Sequence, residues 1–265
     1  MLIFNREFRR NLKMLIIWSV IISGLMILTL SAFPEVVKQQ KAIDQIIKGM
    51  PTALIKAFDM DVLNISDALG YYATKGYIMI TLFGAIYAVM LGGNILSKEH
   101  SEKTIEFLLS KPVLRSNVIT QKLLAVFVNV MLFNLIVAAA NYIGFKSVDA
   151  TIDFKVFASL TAAPLMLHLL FAAISFFLSS SLKKSRNAMP ISLGLVFVMY
   201  FLYIVAGIAD KYAKIKYVSP FEYVNAADII INKGLDTIYM SIMVGVIIIS
   251  IFATYIVYRK KDITI

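Results

Sequence analysis

Six stretches of this chain run for 20 to 27 residues without an Asp, Glu, Lys or Arg: 14–33, 76–96, 123–145, 156–182, 187–209 and 237–258. A helix crossing the hydrocarbon core of a bilayer needs about 20 mostly apolar residues. Backbone in that medium must satisfy its own hydrogen bonds, which leaves helices as the natural spanning form for runs of this length. The pattern predicts an all-α membrane protein with six transmembrane helices, forming a single transmembrane domain over 1–265. Composition agrees, since 60% of the residues are hydrophobic and only 16% are charged, against about 25% charged in average soluble domains.

The same composition excludes several chemistries. With no cysteine, disulfides, thiol nucleophiles and thiolate metal sites are ruled out. With only His100 and His168, a multi-histidine metal centre is ruled out too. No catalytic residue and no metal ligand is expected. The first apolar run follows Arg6, Arg9, Arg10 and Lys13 as a signal peptide would. It exceeds the usual 7–15-residue core of such peptides and has no clear small-x-small cleavage site before Pro34, so it reads as a retained helix.

Orientation follows from Lys and Arg. With the N-terminus inside, the inner segments hold fifteen of the 26 basic residues but only five of the 16 acids. The whole formal charge of +10 then lies on the cytoplasmic side. Both termini are expected there, in a plasma membrane of bacterial or archaeal type. The basic balance matches anionic lipid and insertion topology, with no call for nucleic acid.

Between the spans lie three informative segments. In 1–13, Phe4, Phe8 and other apolar residues alternate with Arg6, Arg9, Arg10 and Lys13, which predicts a basic amphipathic helix lying along the inner surface before the chain turns upward. In 34–75, Val36, Ile43, Ile46, Ile47 and Met50 recur near helical spacing until Gly49 and Pro51 interrupt them. Amphipathic helices on the outer face are expected there, with Tyr71, Tyr72 and Tyr77 in an outer aromatic belt and Tyr255 and Tyr258 in an inner one. In 210–236, Ser219-Pro220-Phe221 sets a turn and 223–230 forms a short helix ended by Gly234.

The cytoplasmic loop 97–116 carries the most information. Ile105, Leu108 and Leu109 share one helical face, and Glu99, Glu102 and Glu106 share another. Pro112 stops the helix, and Arg115-Ser116-Asn117 supplies the start of the third span. The result is an amphipathic rod suited to a groove on a soluble partner. The run Glu102-Lys103-Thr104-Ile105-Glu106-Phe107-Leu108-Leu109-Ser110-Lys111-Pro112-Val113-Leu114-Arg115, followed by Lys122-Leu123-Leu124-Ala125, resembles the permease subunits of ABC-2-type exporters. Many members have Gly-Thr where this chain has Lys103-Thr104. Ser219-Pro220-Phe221-Glu222-Tyr223 and the outer lobe with Pro51, Leu54, Lys56, Ala57, Phe58 and Tyr71-Tyr72 also resemble recurrent features of that family.

The resemblance implies a transmembrane half that pairs with a second copy or a sister subunit and is served by two cytoplasmic ATPase subunits. It implies that 99–115 is the coupling helix, with Glu99, Glu102, Thr104, Ile105, Glu106, Leu108, Leu109, Pro112 and Arg115 at the ATPase interface. It also makes 1–13 the elbow helix, with Phe4, Phe8, Arg9 and Arg10. The chain has no Gly-x-x-x-x-Gly-Lys-Ser/Thr loop and no Gly-Lys dipeptide, so ATP and Mg belong to the partner ATPase and this chain needs no cofactor.

Within the spans, His168 is the one titratable group of the proton-relay kind, and Asn129, Asn134 and Asn141 lie along the third span. Each has a bland reading as a bonded core residue or helix glue and a sharper one in a translocation path or dimer contact. Gly84, Ala88 and Gly92 form a small-residue ridge whose simplest use is packing inside the subunit. The expected function is export of hydrophobic or amphipathic cargo, such as a peptide, antibiotic or lipid. A sodium-extruding permease and a non-transporting immunity, sensor or scaffold subunit are the alternatives. The absence of acids within the spans counts against an ion-coupled transporter, and no catalytic cluster supports an intramembrane enzyme.

Overall fold

The computed structural model describes residues 2–57, 59–101, 114–182, 187–208 and 210–260. Among them six helices are long and apolar enough to cross a membrane. The first is α1 (Leu2–Ser31). Four short helices follow: α2 (Phe33–Lys38), α3 (Gln40–Gly49), α4 (Thr52–Ala57) and α5 (Ala68–Tyr71). A π-helical stretch, Tyr72–Tyr77, leads without a break into α6 (Ile78–Ser101). Then come α7 (Arg115–Ser147), α8 (Phe154–Ser181) and α9 (Ala188–Ile208). Two 3₁₀ segments, Asp210–Val218 and Glu222–Val224, precede α10 (Ala226–Asn232) and the final span α11 (Thr237–Lys260).

Packing ranks the spans. In the most apolar stretches of the second and fourth spans, 61% of the residues are buried, but only 17% are in α9 and α11. The central element is α8, which contacts α6, α7, α9 and α11, while α1 lies along α7. The outer faces of the peripheral helices stay apolar, with Ile16, Val20 and Leu28 on α1, Phe197 and Phe201 on α9, and Ile248 and Phe252 on α11 all exposed. Such faces suit lipid, because hydrocarbon penalises polar rather than apolar side chains.

Close packing of α6 on α8 depends on the predicted ridge of small residues. A side chain at Gly84 would meet the His168 ring, and one at Gly92 would meet the Ala172 carbonyl. Ala88 between them is fully buried. The ridge therefore serves contacts within the subunit, as its simplest reading has it. Pro164 sits inside α8 without ending it.

Several boundaries differ from expectation. The 1–13 segment is not a separate surface helix, because helix continues from Leu2 to Ser31 without interruption. At 1.5 Å per residue this is about 45 Å, longer than a hydrocarbon core of about 30 Å. The basic residues thus occupy the first turns of the same helix that carries the first span. The second span starts earlier than Gly76, at Ala68, where the Asp67 side chain accepts from the Leu69 N–H.

Tyr72 and Tyr77 are not belt residues. Both are 3% exposed, because the wide π-turn brings their rings inward as an edge-on pair 6.2 Å apart. Tyr258 is likewise buried. The predicted 223–230 helix begins at Ala226, because Asn225 is its cap and accepts from the Asp228 N–H. It ends on Lys233 in the left-handed conformation, φ 48°, rather than on Gly234.

Candidate functional site

The bundle end that carries the N-terminus gathers the predicted elbow and the roots of the 97–116 loop. An α-helix leaves its first N–H groups without partners. In α1 the Gln121 side-chain oxygen Oε1 takes two of them, from Ile3 at 3.1 Å and Phe4 at 3.2 Å. One turn further, Glu7 is 2% exposed and Lys122 fully buried. Their side chains meet at 3.3 Å, and Lys122 Nζ also donates to the Ile95 carbonyl at 2.6 Å. Arg6 approaches Glu7 at 3.2 Å from the solvent side.

This junction ties three chain segments together: the base of α1, the last turns of α6 and the first turns of α7. Ile95 lies about two turns before the end of α6 at Ser101, and Lys122 about two turns after α7 opens at Arg115. A buried ion pair gains little unless its remaining bonding capacity is met. Here the Ile95 carbonyl and Arg6 supply that support.

Of the residues expected at an ATPase interface, Arg115 opens α7. Its guanidinium donates to the carbonyls of Tyr258 and Arg259, at 3.5 Å and 3.4 Å. Those carbonyls lie at the C-terminal, negative end of the α11 dipole, where a cation is favoured. Glu99 falls in the last turns of α6. Glu102, Thr104, Ile105, Glu106, Leu108, Leu109 and Pro112 lie outside the described residues. In the predicted elbow, Phe4 and Phe8 stack at 5.9 Å, and Arg9 and Arg10 are exposed.

His168, Asn129, Asn134 and Asn141 are all buried. His168 is fully buried, with Nδ1 3.0 Å from Asn134 Oδ1 on α7 and Nε2 3.2 Å from the Ile80 carbonyl on α6. Asn129 and Asn134 each donate one turn back, to Ala125 and Val130. Asn141 donates to the Tyr72 hydroxyl at 2.9 Å. The Asn134–His168 and Asn141–Tyr72 contacts join separate elements, whereas the Asn129 bond stays within α7.

The opposite end is closed by the two long connections. Ser219 donates to the Met199 carbonyl at 2.8 Å, and Phe221 packs between Phe171 of α8 and Tyr200 of α9, with centroids 5.6 Å and 5.3 Å away. Glu222 is buried and pairs with Lys216 at 2.6 Å. Burial draws the Lys216 ammonium down, yet its bond to Glu222 and the nearby Glu222, Tyr217 and Asp228 charges together outweigh that and hold its pKa above the usual value.

The sequence profile described as "ABC-2 family transporter protein" matches residues 1–263. The chain belongs to the ABC-2 transporter family. None of the curated proteins compared with it matches. ABC-2 permeases are the transmembrane components of ABC transporters, work with ATPase subunits and are not themselves catalytic. Six apolar spans and family membership together make this a multi-pass membrane protein. The family profile extends over both the 97–116 loop and the far-end motif at 219–223.

Sequence reasoning missed the junction. One signal was present, since Glu7 is the sole acid among the first thirteen residues. Lys122 directly precedes the uncharged run 123–145, and nothing in its spacing marks it as buried.

Proposed function

We propose that the chain is the permease subunit of an ATP-driven exporter, working as a dimer with a second copy or a sister subunit. Two cytoplasmic ATPase subunits bind ATP and Mg and press on the 99–115 helix. The cargo is hydrophobic or amphipathic: a peptide, an antibiotic or a lipid. Family membership supports the transporter role, and the spans carry no acid of the kind that ion-coupled transport generally uses.

The observation that carries the reading is the buried Glu7–Lys122–Ile95 junction near the roots of the loop. Force applied to the loop reaches α6 and α7 directly. Through Lys122 and Glu7 it also reaches the base of α1, so three of the six spans move from one point. Coupling travels through contiguous packed and hydrogen-bonded elements of this kind. The driving force is mechanical and arrives from outside the membrane.

Co-purification from native membranes in mild detergent tests the proposal, with ATPase activity measured for wild type and for Glu102→Lys/Glu106→Lys. A near-stoichiometric soluble ATPase, lost in the variant while insertion is intact, is the expected result. Normal coupled activity in that variant would overturn the coupling-helix role. Recovery of no ATPase in any mild detergent would favour the scaffold or immunity reading.

A further inference from the structure

At the far end of the bundle, a cavity of about 30 Å³ lies where the 34–75 and 210–236 connections meet α6 and α9. Asp59, Tyr77, Thr81, Tyr200, Tyr203 and Asn225 are its polar lining residues. About 10–15 Å³ of such volume admits one water-sized guest, so the space suits one or two such particles and no larger ligand.

Its polar groups are not self-sufficient. The Tyr77 hydroxyl is buried and has no hydrogen-bond partner, an uncommon state for a buried polar atom. Asp59 accepts one bond, from Asn225 Nδ2 at 2.9 Å, and the same amide lies 3.1 Å from the Tyr203 hydroxyl. An ionised carboxylate offers about four acceptor sites, and in the half-buried Asp59 this bond is the one that a side chain supplies. Asp59 also has φ 51°, a conformation uncommon outside glycine and one that collects at functional sites.

The surrounding charge is negative. Glu222, Asp228 and Asp61 lie near enough to act on Asp59. Lys216 already pairs with Glu222. Burial, partly offset by the Asn225 bond and reinforced by those three acids, pushes the Asp59 carboxyl above its usual pKa. A neutral water would satisfy Tyr77 but would leave this charge uncompensated.

We propose that the cavity binds a single monovalent inorganic cation, with Asp59 as its charged ligand and the Tyr77 and Tyr203 hydroxyl oxygens beside it. One carboxylate in a water-sized space suits a monovalent ion. Among the described residues no group of three acidic, histidine or cysteine side chains stands ready for a divalent one. The ion fastens the two far-end connections onto α6 and α9. This inference does not depend on the exporter reading, because its readout is the stability of the purified chain.

The test is thermal unfolding of the full chain in detergent at pH 8, in NaCl, KCl or choline chloride at equal ionic strength. The wild type is expected to unfold at higher temperature in one of the alkali salts than in choline. Asp59→Asn abolishes that difference, and Glu35→Gln, at an exposed site on α2, retains it. Tyr77→Phe raises the half-saturating salt concentration on the order of tenfold and serves as the test should Asp59→Asn fail to fold. Lowering the pH to 5 weakens the salt effect, because protons compete for the same carboxylate. Equal unfolding of wild type in all three salts, as a resident water would give, overturns the proposal. So does an undiminished salt response in Asp59→Asn or Tyr77→Phe.

Discussion

Gly84 faces His168 across the α6–α8 contact with no room for a methyl group between its Cα and the imidazole ring. The histidine in turn reaches α7 through Asn134 and α6 through the Ile80 carbonyl. One glycine therefore sets how closely the two most buried spans approach, and one ring bridges three helices.

Gly84→Ala should destabilise the protein by about 1–3 kcal/mol through overpacking. His168→Ala should cost about 2–4 kcal/mol, combining a cavity with the loss of the bonds to Asn134 and Ile80. Equilibrium unfolding in mixed micelles measures both. ATPase activity of the assembled complex should persist in His168→Ala, and its complete loss would return a transport role to that residue.

The junction at the other end makes a sharper energetic prediction. Glu7→Gln or Lys122→Met alone leaves the partner charge buried without its mate and should cost about 3–5 kcal/mol. The double variant Glu7→Met/Lys122→Met should recover most of that loss, since apolar replacements of buried pairs are often neutral. If the junction carries force, the double variant regains stability but not ATPase stimulation. A double-mutant cycle with both readouts separates stability from coupling.

Gln121 acts as a cap supplied from a distant part of the chain. Gln121→Ala should free the Ile3 and Phe4 amides and cost about 0.5–2 kcal/mol, the range of an ordinary N-cap. Hydrogen exchange should speed up in the first turn of α1 and stay unchanged in α8.

Asp59 gives stability a pH dependence of definite sign. Its folded carboxyl binds protons more readily than the unfolded one, so stability falls as pH rises through the folded value. Acidification towards the ordinary carboxylate value of 3.8 should therefore stabilise this end of the protein. The gain should be smaller in Asp59→Asn. Unfolding midpoints in choline chloride across this range measure the effect without alkali ions.

How much of this was legible in the sequence depends on the range of the interaction. The six spans were, because each is a local run of apolar residues set by bilayer thickness. So was the small-residue ridge, which follows from spacing within one helix. The fate of Tyr72 and Tyr77 was not, because a π-turn rotates them inward and periodicity assumes a regular helix. The continuous α1 was hidden for a different reason: its charged first turns are held by Gln121 and Lys122, over a hundred residues away. Asp59 and Asn225 are 166 residues apart, and no motif joins them.

That separation has a consequence for how the chain is made. Glu7 is synthesised 115 residues before Lys122. At roughly 5–20 residues per second, it waits on the order of ten seconds for its buried partner. During that interval water and neighbours such as Arg6 meet its charge, and the buried contact that fixes this end of α1 is still to be made. The first helix to enter the membrane is thus set in place by the third, and its N-terminal end belongs to a late step of assembly.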